Sequence, residues 1–564
     1  MKILLLVSAF NGLTQRSWCA LRAAGHSVTV ELAPVHSSPE TLISAVHAVS
    51  PELILCPFLK HRVPAEIWRK WPTVIIHPGP IGDRGPSSLD YAIQEGEPVW
   101  GVTALSAVED MDAGPIWASR IFGMPSSPIT KAALYNGPVA DAALSCIEEV
   151  VAKAADPGFV PVPQDETARP VPHARTRPSM RRADRAFEWS MSASEIVKRI
   201  RAADSSPGVR TEIEGRIVQV YDAAIGDDRP RRFRPGTIVG RGQDAIAVAT
   251  GDQTVWIGYA KVPADLGGSG VKLPAGQIFD DPVPQLPVPD SLREATYRRH
   301  GDVGFFTMRV YNGAMSTGQC RRIAEVLTAA LEQDTRVLVF RGTSSTFSNG
   351  IHLNVIEAAD DPAAEAWENI TAINRLCTAL VSCTDQLTIG AVTANAGAGG
   401  VMLALAADVV VARDGVVLNP YYDMGLYGSE LHTYTLPRRV GAATASRLLT
   451  DKLPVDAKSA AAMSLVDAVG PGDPTRFDEW VAELATSYTN PQWHADALAA
   501  KLRVLKGVKP PAYYAAAELA EMAKDFFDDR SGFAEARRAF VGKANPVETP
   551  NRLAEHRWKL TGAR

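Results

Sequence analysis

The chain has 564 residues, a net charge of −5 and an ordinary globular composition, 46% hydrophobic and 21% charged. That length exceeds what one hydrophobic core fills and predicts about three or four structural units. The mild acidity excludes the basic footprint of a nucleic-acid binder and the polybasic patch of a membrane-surface protein, and no run of about eighteen apolar residues is present to span a bilayer.

The opening MKILLLVSAFNGLTQ has a short apolar run but no small-residue cleavage site, and Asn11 and Gly12 end the run as a strand enters a loop. Strand-like runs at Ile3–Val7, Val28–Leu32, Leu53–Cys56 and Val74–His77 alternate with helical stretches. That rhythm predicts βαβ units and a parallel sheet. A helix near Val139–Ala154 closes a first domain, 1–155, and the Pro/Arg-rich text of 156–186 reads as a linker. One helix (Ser194–Ala203) and the runs GRIVQVYDA, GTIVGRG, AIAVATGD and TVWIGYA then predict a small barrel over 187–285. After the Pro-rich joint DDPVPQLPVPDS, residues 286–564 alternate strands (Gly304–Val310, Val337–Phe340, Leu387–Ala391, Val409–Ala412) with long helices. The fold class is therefore α/β multidomain. Cys19, Cys56, Cys146, Cys320, Cys377 and Cys383 form no CxxC or ligand-spaced cluster, which points to reduced, buried thiols and a cytoplasmic protein. The scattered histidines suggest no metal site.

His77 falls where an apolar strand meets a Pro/Gly loop, the sheet edge at which α/β proteins bind ligands. Asp112 follows the strand-like GVTAL and precedes the turn AGPI. A histidine beside a carboxylate can move protons near neutral pH, although each residue alone is as readily a loop cap or a turn former. The longer text decides between these. His77-Pro78, Gly101-Val102-Thr103 and Asp112-Ala113-Gly114-Pro115-Ile116 resemble, in order and spacing, the formyltransferases that use 10-formyltetrahydrofolate. IVKRIRAADSSPGVRTEIEGRIVQVYDA with RPGTIVG is similar to their C-terminal barrel. The resemblance implies a Rossmann-like formyltransferase domain and an OB-like barrel, His77 and Asp112 as catalytic residues, and Pro57, Phe58 and Leu59 as folate contacts. Ser8–Asn11 fall on the same sheet edge. The family's Asn falls on Ile75, and loss of an oxyanion donor costs about 10²–10³ in rate. The domain then either has weak activity, uses other donors, or meets a better nucleophile than an amine, and a thiolate would fit the last of these.

In the third segment, VLVFRGTSSTFSNGIHLN and LTIGAVTANAGAGGVMLALA each read as a strand followed by a Gly-containing loop and a helix start. Such loops can present backbone N–H groups to a carbonyl oxygen, or simply make tight turns. As a pair they resemble the crotonase (ClpP/enoyl-CoA hydratase-like) superfamily, whose α/β spiral fold binds acyl-CoA. By that resemblance Asn349 and Gly399 supply the oxyanion hole, and Phe526, Phe540 and Lys543 meet the adenine and phosphate end of coenzyme A. Met402 stands at one catalytic Glu position and Tyr421–Tyr422 lie near the other, so water addition is not expected. Tyr421, Tyr422 and Glu430 are the remaining catalytic candidates, with Asp423, Tyr427, His432 and His352 nearby.

The order of modules, with CPFLKHRVP, HPGPIGDRGPSSLDYAI and FSNGIHLN, resembles the HypX/HoxX family of hydrogenase maturation factors. The resemblance implies formyl transfer from 10-formyltetrahydrofolate to coenzyme A, cleavage of formyl-CoA to CO and CoA, an internal channel, and [NiFe]-hydrogenase maturation proteins as partners. Two other readings stay open. One is formylation of a small amine or nucleotide sugar beside a CoA-binding crotonase domain, and the other is a catalytically degenerate scaffold.

Overall fold

The computed structural model describes residues 1–125, 129–228 and 233–557. They form two compact units, Met1–Thr237 with Val248–Val255 and Asn545–Arg564, and Ile238–Ala247 with Trp256–Ala544.

In the first unit, β1 (Lys2–Val7), β2 (Ser27–Leu32), β3 (Leu53–Cys56), β4 (Thr73–His77), β5 (Val99–Ser106) and β6 (Ile116–Gly123) make one sheet in the order β2-β1-β3-β4-β5-β6. The first four pair in parallel, and β5 and β6 join through antiparallel pairings. Ile3 to Val7 are fully buried, as in a parallel strand covered on both faces. Helix Ala140–Ala154 buries Ala140, Ala143, Ile147, Val150 and Val151, spaced by three and four residues. The chain enters it through a π-helical turn, Tyr135–Val139.

The segment 156–186, expected to be a linker, does not run free. Val171, Ala174, Met180, Arg177 and Arg185 are all buried, and Thr176 forms a parallel bridge with Arg84. Helix Ala193–Ala202 follows, N-capped by Ser192 on Glu195 N. Strands Val209–Ile213, Arg216–Asp228, Gln253–Lys261, Ala245–Ala249 and Ile238–Gly242 then lie side by side in that order.

The second unit contains a sheet in the order Ala295–His300, Val303–Met308, Val337–Arg341, Leu387–Val392, Val409–Arg413, Ala468–Gly470. All its pairings are parallel except the first. Alternation places Leu338 and Phe340 in one core and Val337 and Val339 in another, the two faces of one pleated strand. Residues 545–557 belong to the first unit, where Val30 N donates to Leu553 O at 2.8 Å. All six cysteines are buried thiols outside any disulfide. Among the described residues, no helix is long and apolar enough to cross a membrane.

Candidate active sites

His77 ends β4 and is 4% exposed. Its Nδ1 lies 3.4 Å from Asp112 Oδ2, so the structure brings together the two residues that the sequence pairs. Asp112 adopts φ +54 and its Oδ2 accepts Gly85 N at 3.0 Å, which fixes the turn after β5 to the loop after β4. Gln164 Nε2 donates to Asp112 O and Gly114 O, a contact from the supposed linker.

The other ring nitrogen, Nε2, sits 2.9 Å from Asp83 Oδ2. Burial opposes a charged ring, but the Asp83 hydrogen bond and the charges of Asp112 and Asp83 outweigh it and raise the His77 pKa above 6.5. Behind Asp83 stands Arg177, whose Nη1 donates to Asp83 Oδ1 at 3.2 Å and Nη2 to Glu95 Oε2 at 2.6 Å. Sequence reasoning missed Asp83 and Arg177.

His77 and Asp112 open on a cavity of about 690 Å³ also lined by Pro57, Phe58, Leu59, Ile75 and Tyr135 among others. The three expected folate contacts thus share a wall with the His–Asp pair, and Ile75 occupies it where a polar donor is absent. Asn11 caps helix Gly12–Ala23, and its Nδ2 lies 3.3 Å from Tyr135 Oη. Ser8 Oγ accepts Lys60 N at 2.7 Å, tying β1's exit to the loop that carries Phe58.

In the second unit the two glycine loops meet. Gly397 N donates to Ser348 O at 3.0 Å, and a Cβ on Gly400 would lie 1.9 Å from that same oxygen. A Cβ on Gly350 would come within 3.5 Å of Gly399 N. Gly399 begins the short helix Gly399–Leu405, where an N–H has no intrahelical acceptor. Asn349 is a correction: its N–H is donated to Gly313 O at 2.6 Å and its side chain is exposed. Its amide holds the loop and is not free for a thioester oxygen.

Glu430 lies against this junction, and a Cβ on Gly399 would sit 2.0 Å from Glu430 Oε1. Glu430 is 1% exposed. Burial and the neighbouring Glu518 charge push its pKa up to about 7, against the opposing hydrogen bonds of Tyr422 and Ser429 N. The Tyr422 hydroxyl is 2.8 Å from Glu430 Oε2 and 2.6 Å from Ser429 O. Burial and the same two carboxylates hold that phenol well above its usual range. Glu430 and Leu431 have φ of +59 and +58, a conformation few non-glycine residues adopt. Their N–H groups are met by Asn374 Oδ1 at 2.9 Å and Glu518 Oε2 at 2.9 Å. Asn374 and Glu518 were not anticipated; a polar residue on the apolar stripe of an amphipathic helix is the signal that marks them.

The remaining candidates separate. Tyr421 turns to Asn419, 3.4 Å from its Oδ1, while Tyr422 reaches Glu430. Asp423 pairs with Lys452, and Tyr427 is 43% exposed. Burial lowers His432 to about 4 beside Ser429 O. His352 caps a helix through Nδ1 and stacks on Tyr259, and burial lowers it to about 4 as well. Phe526 is a second correction. It is buried with Met522 and Phe533, while Phe527, Phe540 and Lys543 remain on the surface.

Comparison with known proteins finds two family models in the chain. A model of the enoyl-CoA hydratase/isomerase family covers residues 307–548, and one of the formyl transferase C-terminal domain covers residues 179–264. Methionyl-tRNA formyltransferase of Sorangium cellulosum is 30% identical over 197 residues, 35% of this chain and 61% of its own length. The structure of HypX from Aquifex aeolicus in complex with tetrahydrofolic acid superposes with a TM-score of 0.92 at 35% identity, covering 99% of both chains. Hydrogenase maturation factor HoxX of Bradyrhizobium diazoefficiens is 39% identical over 565 residues, 99% of this chain and 97% of that one. The chain belongs to the HypX/HoxX family of hydrogenase maturation factors, and joins a formyltransferase to a crotonase-type module.

Proposed function

We propose that the first site passes the formyl group of 10-formyltetrahydrofolate to the thiol of coenzyme A, and that the second splits formyl-CoA into CO and CoA. The CO would serve as the iron ligand of a [NiFe]-hydrogenase, the role in which hydrogenase maturation proteins are partners. In the first step the CoA sulfur attacks the formyl carbon, a tetrahedral intermediate collapses, and the C–N bond to folate breaks as that nitrogen takes a proton. Positive charge on His77 stabilises the oxyanion and favours thiolate over thiol. Pro57, Phe58 and Leu59 supply the apolar wall for the pterin, and Phe540 and Lys543 are the surface groups suited to adenine and phosphate.

In the second step the Gly399 N–H meets the thioester oxygen, and the Glu430 carboxylate removes the formyl proton. The C–H electron pair stays on carbon as the lone pair of CO, an oxygen lone pair makes the third C–O bond as the C–S bond breaks with its pair on sulfur, and protonated Glu430 returns the proton to that sulfur. Atoms and charge balance without water. The observation that carries the reading is Glu430 itself: one buried carboxyl poised near neutrality, pressed on Gly399 and held by Tyr422. A base that must also become an acid works best with its pKa near the operating pH.

The purified chain incubated with 10-formyltetrahydrofolate, coenzyme A and a haem CO trap tests it. CO is expected only when both substrates are present, and His77→Ala is expected to abolish it. A formylated amine in place of CO, or no turnover with either acceptor, rejects the proposal.

A further inference from the structure

The loop Pro78–Asp83 is built to place a carboxylate on the far side of the His77 ring. Pro78 O accepts Ser88 Oγ at 2.7 Å and Trp100 Nε1 at 3.1 Å, and Gly79 O accepts Thr103 Oγ1 at 2.8 Å. Asp83 N closes the turn on Pro80 O at 2.9 Å. Position 79 must be glycine, because a Cβ there would lie 2.3 Å from Asp83 Oδ2 and 2.4 Å from His77 Nε2.

The 156–186 segment locks this loop from behind. Arg177 is 6% exposed, with its guanidinium 5.2 Å from the Tyr91 ring centre and 5.8 Å from that of Trp100. Its backbone N donates to Arg84 O at 2.9 Å, and its carbonyl comes so close to Gly85 that a Cβ there would lie 2.1 Å away. Arg177 therefore fixes Asp83 by charge and the next two residues by backbone.

Both nitrogens of His77 thus face carboxylate oxygens, Nε2 to Asp83 and Nδ1 to Asp112. A neutral imidazole donates from only one nitrogen and would turn a lone pair toward the other carboxylate; the imidazolium donates from both. Resting on the formyl-transfer reading above, we infer that Asp83, clamped by Arg177, is a positioning residue that holds His77 between two carboxylates as a cation, supplying the oxyanion stabilisation that Ile75 cannot give. The acidic groups on the ring are Asp83 from its own loop and Asp112 from the turn after β5. Lys60, His61, Arg62, Glu109, Asp110 and Tyr135 line the cavity that the ring faces.

The test is an NMR titration of the His77 ring in full-length protein carrying labelled histidine, with the resonance assigned by its loss in His77→Ala. Wild-type His77 is expected to titrate above 6.5, and Asp83→Asn to bring it down. The alkaline fall in formyl-CoA formation should move down with it, while KM for the folate is unchanged. Arg177→Lys keeps a cation but cannot bridge Asp83 and Glu95 together, so it should give a smaller shift in the same direction and serves if Asp83→Asn does not fold. Unchanged His77 titration in these variants, or activity lowered evenly at every pH, overturns the inference. If wild-type protein forms no formyl-CoA, the transfer reading fails, and the ring titration still decides whether Asp83 holds the charge.

Discussion

Under the proposed decarbonylation, Glu430 would carry both a pH dependence and the proton transfer. Its carboxyl is raised from 4.5 to about 7, so the ionised base becomes the majority form as pH rises through neutrality. CO formation from supplied formyl-CoA is therefore expected to climb through about pH 7 and level off above it. Folding takes the opposite sign: the folded state binds this proton more tightly, so its contribution to stability is lost between pH 4.5 and about 7. Glu430→Gln should stop CO release and let formyl-CoA accumulate, read by quenching and chromatography of CoA species. Gly399→Ala should act the same way, because the new Cβ would lie 2.0 Å from Glu430 Oε1; normal CO release from that variant would place the chemistry elsewhere. The pairing of His77 with Asp112 was legible in the sequence because each sits beside a strand end and a Pro/Gly turn; Glu430 was one of several candidates left by a resemblance. Asp83 and Arg177 were not legible, since their meeting joins a turn to a segment with the composition of a linker. Asn349 was misread because the acceptor of its N–H, Gly313 O, is a tertiary contact that no local spacing reveals.

At the scale of elements, helix Pro511–Phe526 holds the Glu430 loop. Its buried residues Glu518, Met522, Asp525 and Phe526 fall on one stripe. Glu518 accepts Leu431 N and Thr433 N at 2.9 and 2.8 Å, and Asp525 Oδ2 accepts Tyr427 N at 2.7 Å. Glu518→Gln turns an amide donor toward backbone donors, and a buried unmet N–H costs about 1–3 kcal/mol. The expected result is faster hydrogen exchange over residues 427–433 and slower CO release, with formyl transfer to CoA unaffected; equal loss in both steps would contradict this. The alternation of strands and helices was readable from periodicity, and most strand bounds moved by only a residue or two. The phase of this helix explains the correction at Phe526: it continues the buried stripe, and the neighbouring Phe527 falls off it, 54% exposed.

For the whole molecule, residues 549–557 cover the edge strand β2 of the first sheet. Val30 N is met by Leu553 O and Leu32 N by Thr549 Oγ1 at 3.0 Å, which closes an edge that would otherwise offer free pairing groups. The contact centres on Glu31, fully buried and bonded by His36, His556, Thr549 and Arg557. Burial works against its ionisation, but the bonds from His36, His556 and Arg557 hold its carboxyl far below the usual range. Its stabilisation is present above the ordinary carboxylate pKa and is lost as pH falls. Glu31→Gln should lower Tm and speed proteolysis of the tail; wild-type resistance would mean the strap rests on Leu553 and Ala554 alone. Composition gave no sign of this return, because it depends on a buried acid in one strand and basic residues 525 and 526 positions later.

The most direct measurement follows the formyl carbon. With ¹³C-formyl-tetrahydrofolate and coenzyme A, the account predicts labelled CO on the haem trap, one for each formyl group lost, with CoA recovered unchanged and no signal when CoA is left out. Label recovered as formate or a formylated amine, or CO released without CoA, would contradict it.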